Sequence, residues 1–262
     1  MTIVKHEWKM NLKTLIIWTL CVGLSCMGCI LLFSSVADSM GDMAQTFAEM
    51  GSFSAAFGMD KISIATIEGF YATEISIIFM LGAAMFAAML GTVLLSKEEE
   101  GHTAEFLYTL PWKRGTVLAW KYIALLLLLL VFNGCCILMD VLGFVGIGAE
   151  IVWEQYVKYH LLAFLMQLEL GSICFLISAL CRKKQIGLGL GISVFLYLMD
   201  VMCRIVPDLD FLKYLTPYYY ANAASLYSGG EVEYGLVSIS VLITVLAVVV
   251  SGICYEKRDL AA

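Results

Sequence analysis

ISIIFMLGAAMFAAMLGTVLLS, residues Ile75 to Ser96, runs without a charged side chain and is followed at once by Lys97-Glu-Glu-Glu-Gly-His-Thr-Ala-Glu-Phe-Leu-Tyr-Thr-Leu-Pro-Trp-Lys-Arg114. About 20 apolar residues in a helix cover the hydrocarbon of a bilayer. The first part is therefore read as a membrane span and the second as the polar loop at its end. Three more uncharged runs share this character: Thr14 to Ala37, Tyr122 to Met139 and Tyr234 to Tyr255. Two others carry internal acids, about Tyr156 to Leu180 with Glu169 and about Ile186 to Ile205 with Asp200. The expectation is one all-α polytopic membrane domain over residues 1–262, with spans at about 15–36, 73–96, 120–147, 156–180, 186–206 and 234–255.

The loops predict the orientation. Lys5, Lys9, Lys13, Lys97, Lys113, Arg114, Lys121, Arg182, Lys183, Lys184, Lys257 and Arg258 fall on one side, 12 of the 16 basic residues. Lys61, Lys158, Arg204 and Lys213 fall on the other. Basic residues concentrate in cytoplasmic loops, so both termini are expected in the cytoplasm. An apolar content of 61% excludes an ordinary soluble domain. The net charge of -6 comes from acids in the outer loops, and nothing in the pattern suggests a nucleic-acid partner. All nine cysteines lie in or at the ends of spans, where free thiols pack as small apolar groups; neither a disulfide framework nor a metal site is expected. The start MTIVKHEWKMNLKTLII lacks a short apolar stretch with a small-residue cleavage site, and the N-terminus is read as retained.

Two cytoplasmic segments carry patterns. Over residues 1–14, Val4, Trp8, Leu12 and Leu15 recur at helical spacing beside a stripe of Lys5, Lys9 and Lys13. This predicts an interfacial amphipathic helix that bends into the first span, although a simple basic anchor explains the lysines equally well. In the loop 97–120, Gly101 is expected to break the helix leaving the second span and Pro111 to end a short helix between them. On that helix Thr103, Phe106, Leu107 and Leu110 form one apolar stripe, flanked by Glu98, Glu99 and Glu100 and by Lys113 and Arg114. Either another protein covers the stripe, or the bilayer or the chain's own bundle does.

Glu98 to Glu100, Gly101, Thr103, Glu105, Leu107, Leu110, Pro111, Arg114 and Lys121 together resemble the coupling-helix region of ABC-2 type permeases, the membrane subunits of bacterial ABC exporters. The resemblance extends along the chain through the amphipathic start, the six spans and the Leu215 to Tyr218 segment before the last span. His102 departs from the pattern, standing where glycine would meet threonine directly. Membership would imply a permease in the bacterial cytoplasmic membrane, paired with a second permease subunit, identical or homologous. Its coupling helix would sit in a cleft of a separate cytoplasmic ABC ATPase dimer that binds ATP and magnesium. The chain has no Gly-x-x-x-x-Gly-Lys-[Ser/Thr] phosphate loop of its own, so it is read as a transport subunit with no cofactor, not an enzyme. The candidate ATPase-coupling residues are Glu98, Glu99, Glu100, Gly101, Thr103, Glu105, Phe106, Leu107, Leu110, Pro111 and Arg114.

Outside the membrane, Met40, Met43, Phe47, Met50 and Phe57 predict an amphipathic helix before the second span, and the tyrosines between Phe211 and Tyr227 an interfacial aromatic belt. Gly187, Gly189 and Gly191 are read as a close-packing face. Asp140, Glu169 and Asp200 are costly inside a span unless paired. Arg204, one turn beyond Asp200, explains the latter. Asp140 and Glu169 remain as candidates for a translocation path or an interior network, Glu169 with no partner nameable from sequence. An ion- or proton-coupled secondary transporter using Glu169 is the alternative function, although the halves show no internal repeat. A membrane metalloprotease is disfavoured, because Thr103 or Ala104 stands where its glutamate-arginine motif needs the arginine and His160 is the only histidine near a span.

Overall fold

The computed structural model describes residues 2–103 and 112–258; Glu105, Phe106, Leu107, Leu110 and Pro111 of the expected coupling helix lie outside the described residues. The chain runs α1 (Thr2–Ala48), α2 (Ser52–Phe57), α3 (Ile67–Phe70), a π-helical turn (Tyr71–Ile75), α4 (Ser76–Leu94), α5 (Lys97–Glu100), α6 (Arg114–Ile147), α7 (Trp153–Leu180), α8 (Ile186–Ile205), a 3-10 helix (Pro207–Tyr214), α9 (Ala223–Tyr227) and α10 (Tyr234–Lys257). Among the described residues, six helices are long and apolar enough to cross a membrane, and α3, the π turn and α4 act as one of them, Ile67–Leu94.

Two spans form the centre. The Ile67–Leu94 and Trp153–Leu180 spans are each 61% buried over their most apolar stretch, against 22% for Ile186–Ile205 and Tyr234–Lys257. α4 packs along α7 and α8, α6 lies along α1, and α10 lies along α7. α4 can sit this close because Gly91 leaves room: a Cβ there would stand 2.4 Å from the Gly171 carbonyl oxygen of α7. Gly189 does the same for α8 against Ala88 and Thr92, whereas Gly187 and Gly191 face open space and take no part in the seam. Outward rows such as Leu138, Leu142 and Val145 on α6, or Val241, Val245 and Val249 on α10, stay exposed, as lipid-facing side chains do.

Three local expectations change. α1 is one helix unbroken near residue 14 and continues through Met40, Met43 and Phe47 to Ala48. Its bundle-facing stripe is Glu7, Asn11, Leu15, Thr19, Val22, Cys26, Ile30 and Phe33, all buried, while Leu12 of the expected apolar stripe is exposed. The first turns of α1 thus face the bundle through the polar Glu7 and Asn11. The second change concerns the end of the second span. α4 stops at Leu94, before Gly101, because Ser178 of α7 accepts hydrogen bonds from the backbone N–H groups of Leu95 and Ser96 at 3.0 and 2.9 Å. α5 then makes one turn, and His102 rather than Gly101 takes the left-handed conformation, with φ 53° against -84°.

The third change is in the aromatic segment. Tyr214 is exposed, as a belt residue would be, but Tyr218 is fully buried and Tyr220 nearly so. The Tyr218 hydroxyl lies 2.8 Å from Ser193 Oγ in α8, and Thr216 Oγ1 donates to the Leu196 carbonyl at 2.8 Å. The segment after the 3-10 helix thus re-enters the bundle; irregular backbone at that depth is tolerated because protein surrounds it.

Candidate functional site at the charged end of the bundle

The even number of spans brings both termini to one end, where charged groups from four elements meet. Glu7 points inward from the first turns of α1, Lys97 and Glu98 lie on α5, and Lys121 sits two turns into α6. Glu7 and Lys121 are each about 1% exposed. Lys121 Nζ donates to Glu7 Oε1 at 2.7 Å, to Glu98 Oε1 at 2.8 Å and to the Leu94 carbonyl at 2.8 Å. Three acceptors take up the three N–H bonds of the ammonium, so the buried charge is fully satisfied. The second oxygen of Glu7 binds Lys97, and the Asn11 amide donates to the Glu7 carbonyl and carboxylate.

The three consecutive glutamates reach in three directions. Glu98 binds Lys121 on α6. Glu99, buried, accepts from Arg258 at 2.8 Å, just beyond α10, and Arg258 also donates to the Ala179 carbonyl at the end of α7. Glu100 accepts from the backbone N–H of Lys184, in the link between α7 and α8. Thr103 Oγ1 donates to Glu98 Oε2 at 2.7 Å, tying the start of the loop to the same knot. Arg114, at the head of α6, donates to the carbonyls of Glu256 and Arg258. Burial pulls the Lys97 ammonium below the ordinary lysine range, and the neighbouring Lys121 charge adds to this. Burial also works against the Glu98 carboxylate, but the Lys121 ammonium overrides it and holds this carboxyl below its ordinary range. Glu100 is held low mainly by the Lys184 backbone N–H.

A groove of about 950 Å³ opens beside this knot, lined by Met89, Leu90 and Val93 of α4, by Trp112, and by Gly101 and Thr103 of the loop. Of the residues singled out for ATPase coupling, Glu98, Glu99, Glu100, Gly101, Thr103 and Arg114 are therefore gathered at one end of the bundle. Glu7 and Asn11 belong to the knot and were missed in the sequence. The available signal was that Glu7 is the one acid in an otherwise basic amino-terminal segment.

Deeper in the bundle, Glu169 is buried and has a partner from far along the chain: the Tyr220 hydroxyl donates to its Oε2 at 3.3 Å and lies 2.8 Å from Ser240 Oγ. Gln167, its neighbour in sequence, is occupied elsewhere, exchanging amide hydrogen bonds with Asn133 of α6 at 2.7 and 3.0 Å. Asp200 pairs with Arg204 at 2.8 Å within α8. Asp140 lies at the opposite end of the bundle from the charged knot, far from Glu169, so the two interior acids do not share a site. No group of three or more His, Cys, Asp or Glu residues suited to a metal occurs among the described residues, and the nine cysteines are free.

The profile described as ABC-2 family transporter protein matches residues 1–260. No curated protein matches the chain. With six apolar helices and a match along nearly its whole length, the chain belongs to the ABC-2 transporter family and is a multi-pass membrane permease of an ABC transporter.

Proposed function

We propose that this permease is one of a pair in a bacterial cytoplasmic-membrane exporter, and that a separate cytoplasmic ATPase drives it through the loop at residues 101–111. One observation carries the reading. Glu98, Glu99 and Glu100, immediately before the loop, hold α6, the carboxyl end of α10 and the link between α7 and α8 respectively. A displacement of the loop is then handed to several spans at once through short, charge-assisted bonds, which suits rigid-body motion better than local bending. The apolar stripe Phe106, Leu107 and Leu110 is the part of the loop that docks in the ATPase, with ATP and magnesium held by that partner.

The test is the double variant Phe106→Asp with Leu110→Asp. Each apolar side chain buried in a docking cleft is worth about 1.5–3 kcal/mol, and an unpaired aspartate there adds a desolvation penalty. The permease should still insert, while co-purification with its ATPase and substrate-coupled hydrolysis are lost. Charge reversal at the exposed Lys5 and Lys9 is the control. Wild-type stoichiometry and transport in the double variant would refute the docking site.

Within the same machine Glu169 belongs to the transport interior. Because Tyr220 and Ser240 hold it from two later elements, Glu169→Leu should impair transport more than Asp200→Asn, whose residue is explained by its neighbour Arg204.

A further inference from the structure

At the end of the bundle away from the termini, Tyr71 of the π turn, Asp140 of α6 and His160 of α7 meet in a buried pocket. Tyr71 and Asp140 are fully buried and His160 is 5% exposed. The Tyr71 hydroxyl oxygen lies 3.0 Å from Asp140 Oδ2 and 3.1 Å from His160 Nε2, so it stands between the two. The direct distance from Nε2 to Oδ2 is 3.9 Å. Rings close the pocket: Phe79, Tyr156 and Tyr159 pack on His160, and Phe144 and Tyr227 on Tyr71. The titratable groups around it are Cys26 from α1, Tyr71 from the π turn, Cys136 and Asp140 from α6, Tyr156, Tyr159 and His160 from α7, and Tyr227 from α9. Among the described residues, no lysine or arginine pairs with Asp140; the Tyr156 hydroxyl stands against both the Tyr71 hydroxyl and the Asp140 carboxyl, and His160 Nδ1 has no hydrogen-bond partner.

These contacts restrict the protons. The Tyr71 hydroxyl has one hydrogen to give and two neighbours that can take it. If it donates to Asp140, His160 must donate Nε2–H back to the Tyr71 oxygen. If it donates to Nε2, Oδ2 must itself carry a proton and donate to Tyr71. An ion pair would leave a carboxylate held only by phenol hydroxyls and a charged Nδ1–H without an acceptor, in a buried pocket with no compensating cation among the described residues. The neutral pair leaves the same groups buried but uncharged, which costs far less. A carboxylate beside a neutral imidazole would be worse still, a lone buried charge.

We propose that Asp140, Tyr71 and His160 form a proton-binding site, with one proton held on the Asp140 carboxyl and relayed through Tyr71. In the relay the Oδ2–H bond breaks as a new O–H forms on Tyr71, and the original Tyr71 hydrogen forms Nε2–H on His160. Carboxylic acid and imidazole become carboxylate and imidazolium, with no atom gained or lost. The site joins the π turn to α6 and α7, and π turns within long helices recur at functional positions. It exchanges its proton with the medium only when that end of the bundle admits water. The inference is independent of the coupling loop, since it concerns the opposite end and its test needs no ATPase.

The chain has three histidines, His6, His102 and His160, and the first two are exposed. This makes the purified permease in lipid nanodiscs, labelled with nitrogen-15 histidine, directly readable. Infrared difference spectra at about pH 7, wild type minus Asp140→Asn, should contain the carbonyl stretch of a protonated carboxylic acid. Tyr71→Phe removes the bridge and should shift that band. It should also move the His160 ring-nitrogen resonances, assigned with His160→Gln, while those of His6 and His102 stay in place. A carboxylate band in place of the acid band overturns the proposal. So do Tyr71→Phe spectra with both the acid band and the His160 resonances unchanged. Should Asp140→Asn fail to accumulate, the wild type minus Tyr71→Phe difference decides alone, by the presence or absence of the shifted acid band.

Discussion

The two ends of this bundle bury ionisable groups in opposite ways. At the end bearing the termini, Glu7, Lys97, Glu98 and Lys121 sit within one pocket and every charge meets an opposite one; Lys121 satisfies all three of its donors. At the far end Asp140 and His160 sit among aromatic rings, bridged by the Tyr71 hydroxyl, with no cation beside them among the described residues and His160 Nδ1 left over. A compensated cluster tolerates charge and is rigid because removing any member strands the rest. An uncompensated one tolerates protons but not charge, so it responds to hydration. The first arrangement suits an end that passes on a push, as the proposed coupling requires, and the second keeps its proton from the medium while the rings close over it.

The sharpest way to break this contrast is Lys121→Met. It leaves Glu98 and one oxygen of the buried Glu7 without their cation, and breaking a buried ion pair from one side costs about 3–5 kcal/mol. Thermal unfolding in detergent should show a large fall in melting temperature. An unchanged melting temperature would mean that water reaches the knot and that its charges are not buried in practice.

Asp140→Asn makes the parallel change at the other end. It keeps the size of the side chain and places a neutral group where the pocket already favours one, so the cost should stay near that of one perturbed hydrogen bond, about 0.5–1.5 kcal/mol. If it destabilised as strongly as Lys121→Met, the two ends would be alike and the distinction drawn here would fail.

The smallest effect is in the pH dependence of the charged end. Because the folded Glu98 carboxyl lies below its ordinary value of 4.5, its stabilisation is complete above that pH and is lost as pH falls through the lowered folded value. Glu98→Gln should therefore flatten the acid side of the stability profile relative to wild type and leave the neutral side parallel. Superimposable acid limbs would show that Lys121 does not hold this carboxyl down.

The sequence was read most easily where physics is local. Six apolar runs imply six spans because backbone polar groups in lipid must be satisfied within the helix, and Asp200 with Arg204 was visible because four residues make one helical turn. Spacing alone misled in α1. Its apolar residues suggested a helix lying on the membrane, yet the stripe that packs on α6 begins with the polar Glu7 and Asn11, which a hydrophobicity pattern discounts. The aromatic segment misled for the same reason. Composition marks Tyr214 and Tyr218 alike, and only the re-entrant path separates an exposed ring from a buried one.

From the sequence alone came the class of molecule, the number of crossings, and a resemblance in the loop and along the chain that the family match over residues 1–260 upholds. These rest on hydropathy and on motifs contiguous in the chain. Tertiary structure decided the partners. Glu7 meets Lys121 across 114 positions, Arg258 meets Glu99 across 159, Tyr71 meets Asp140 across 69 and Tyr220 meets Glu169 across 51. A buried polar group must find a partner wherever the packing of helices brings one. That packing depends on side-chain shape and on close approaches such as Gly91 against Gly171, which no periodicity in the chain encodes.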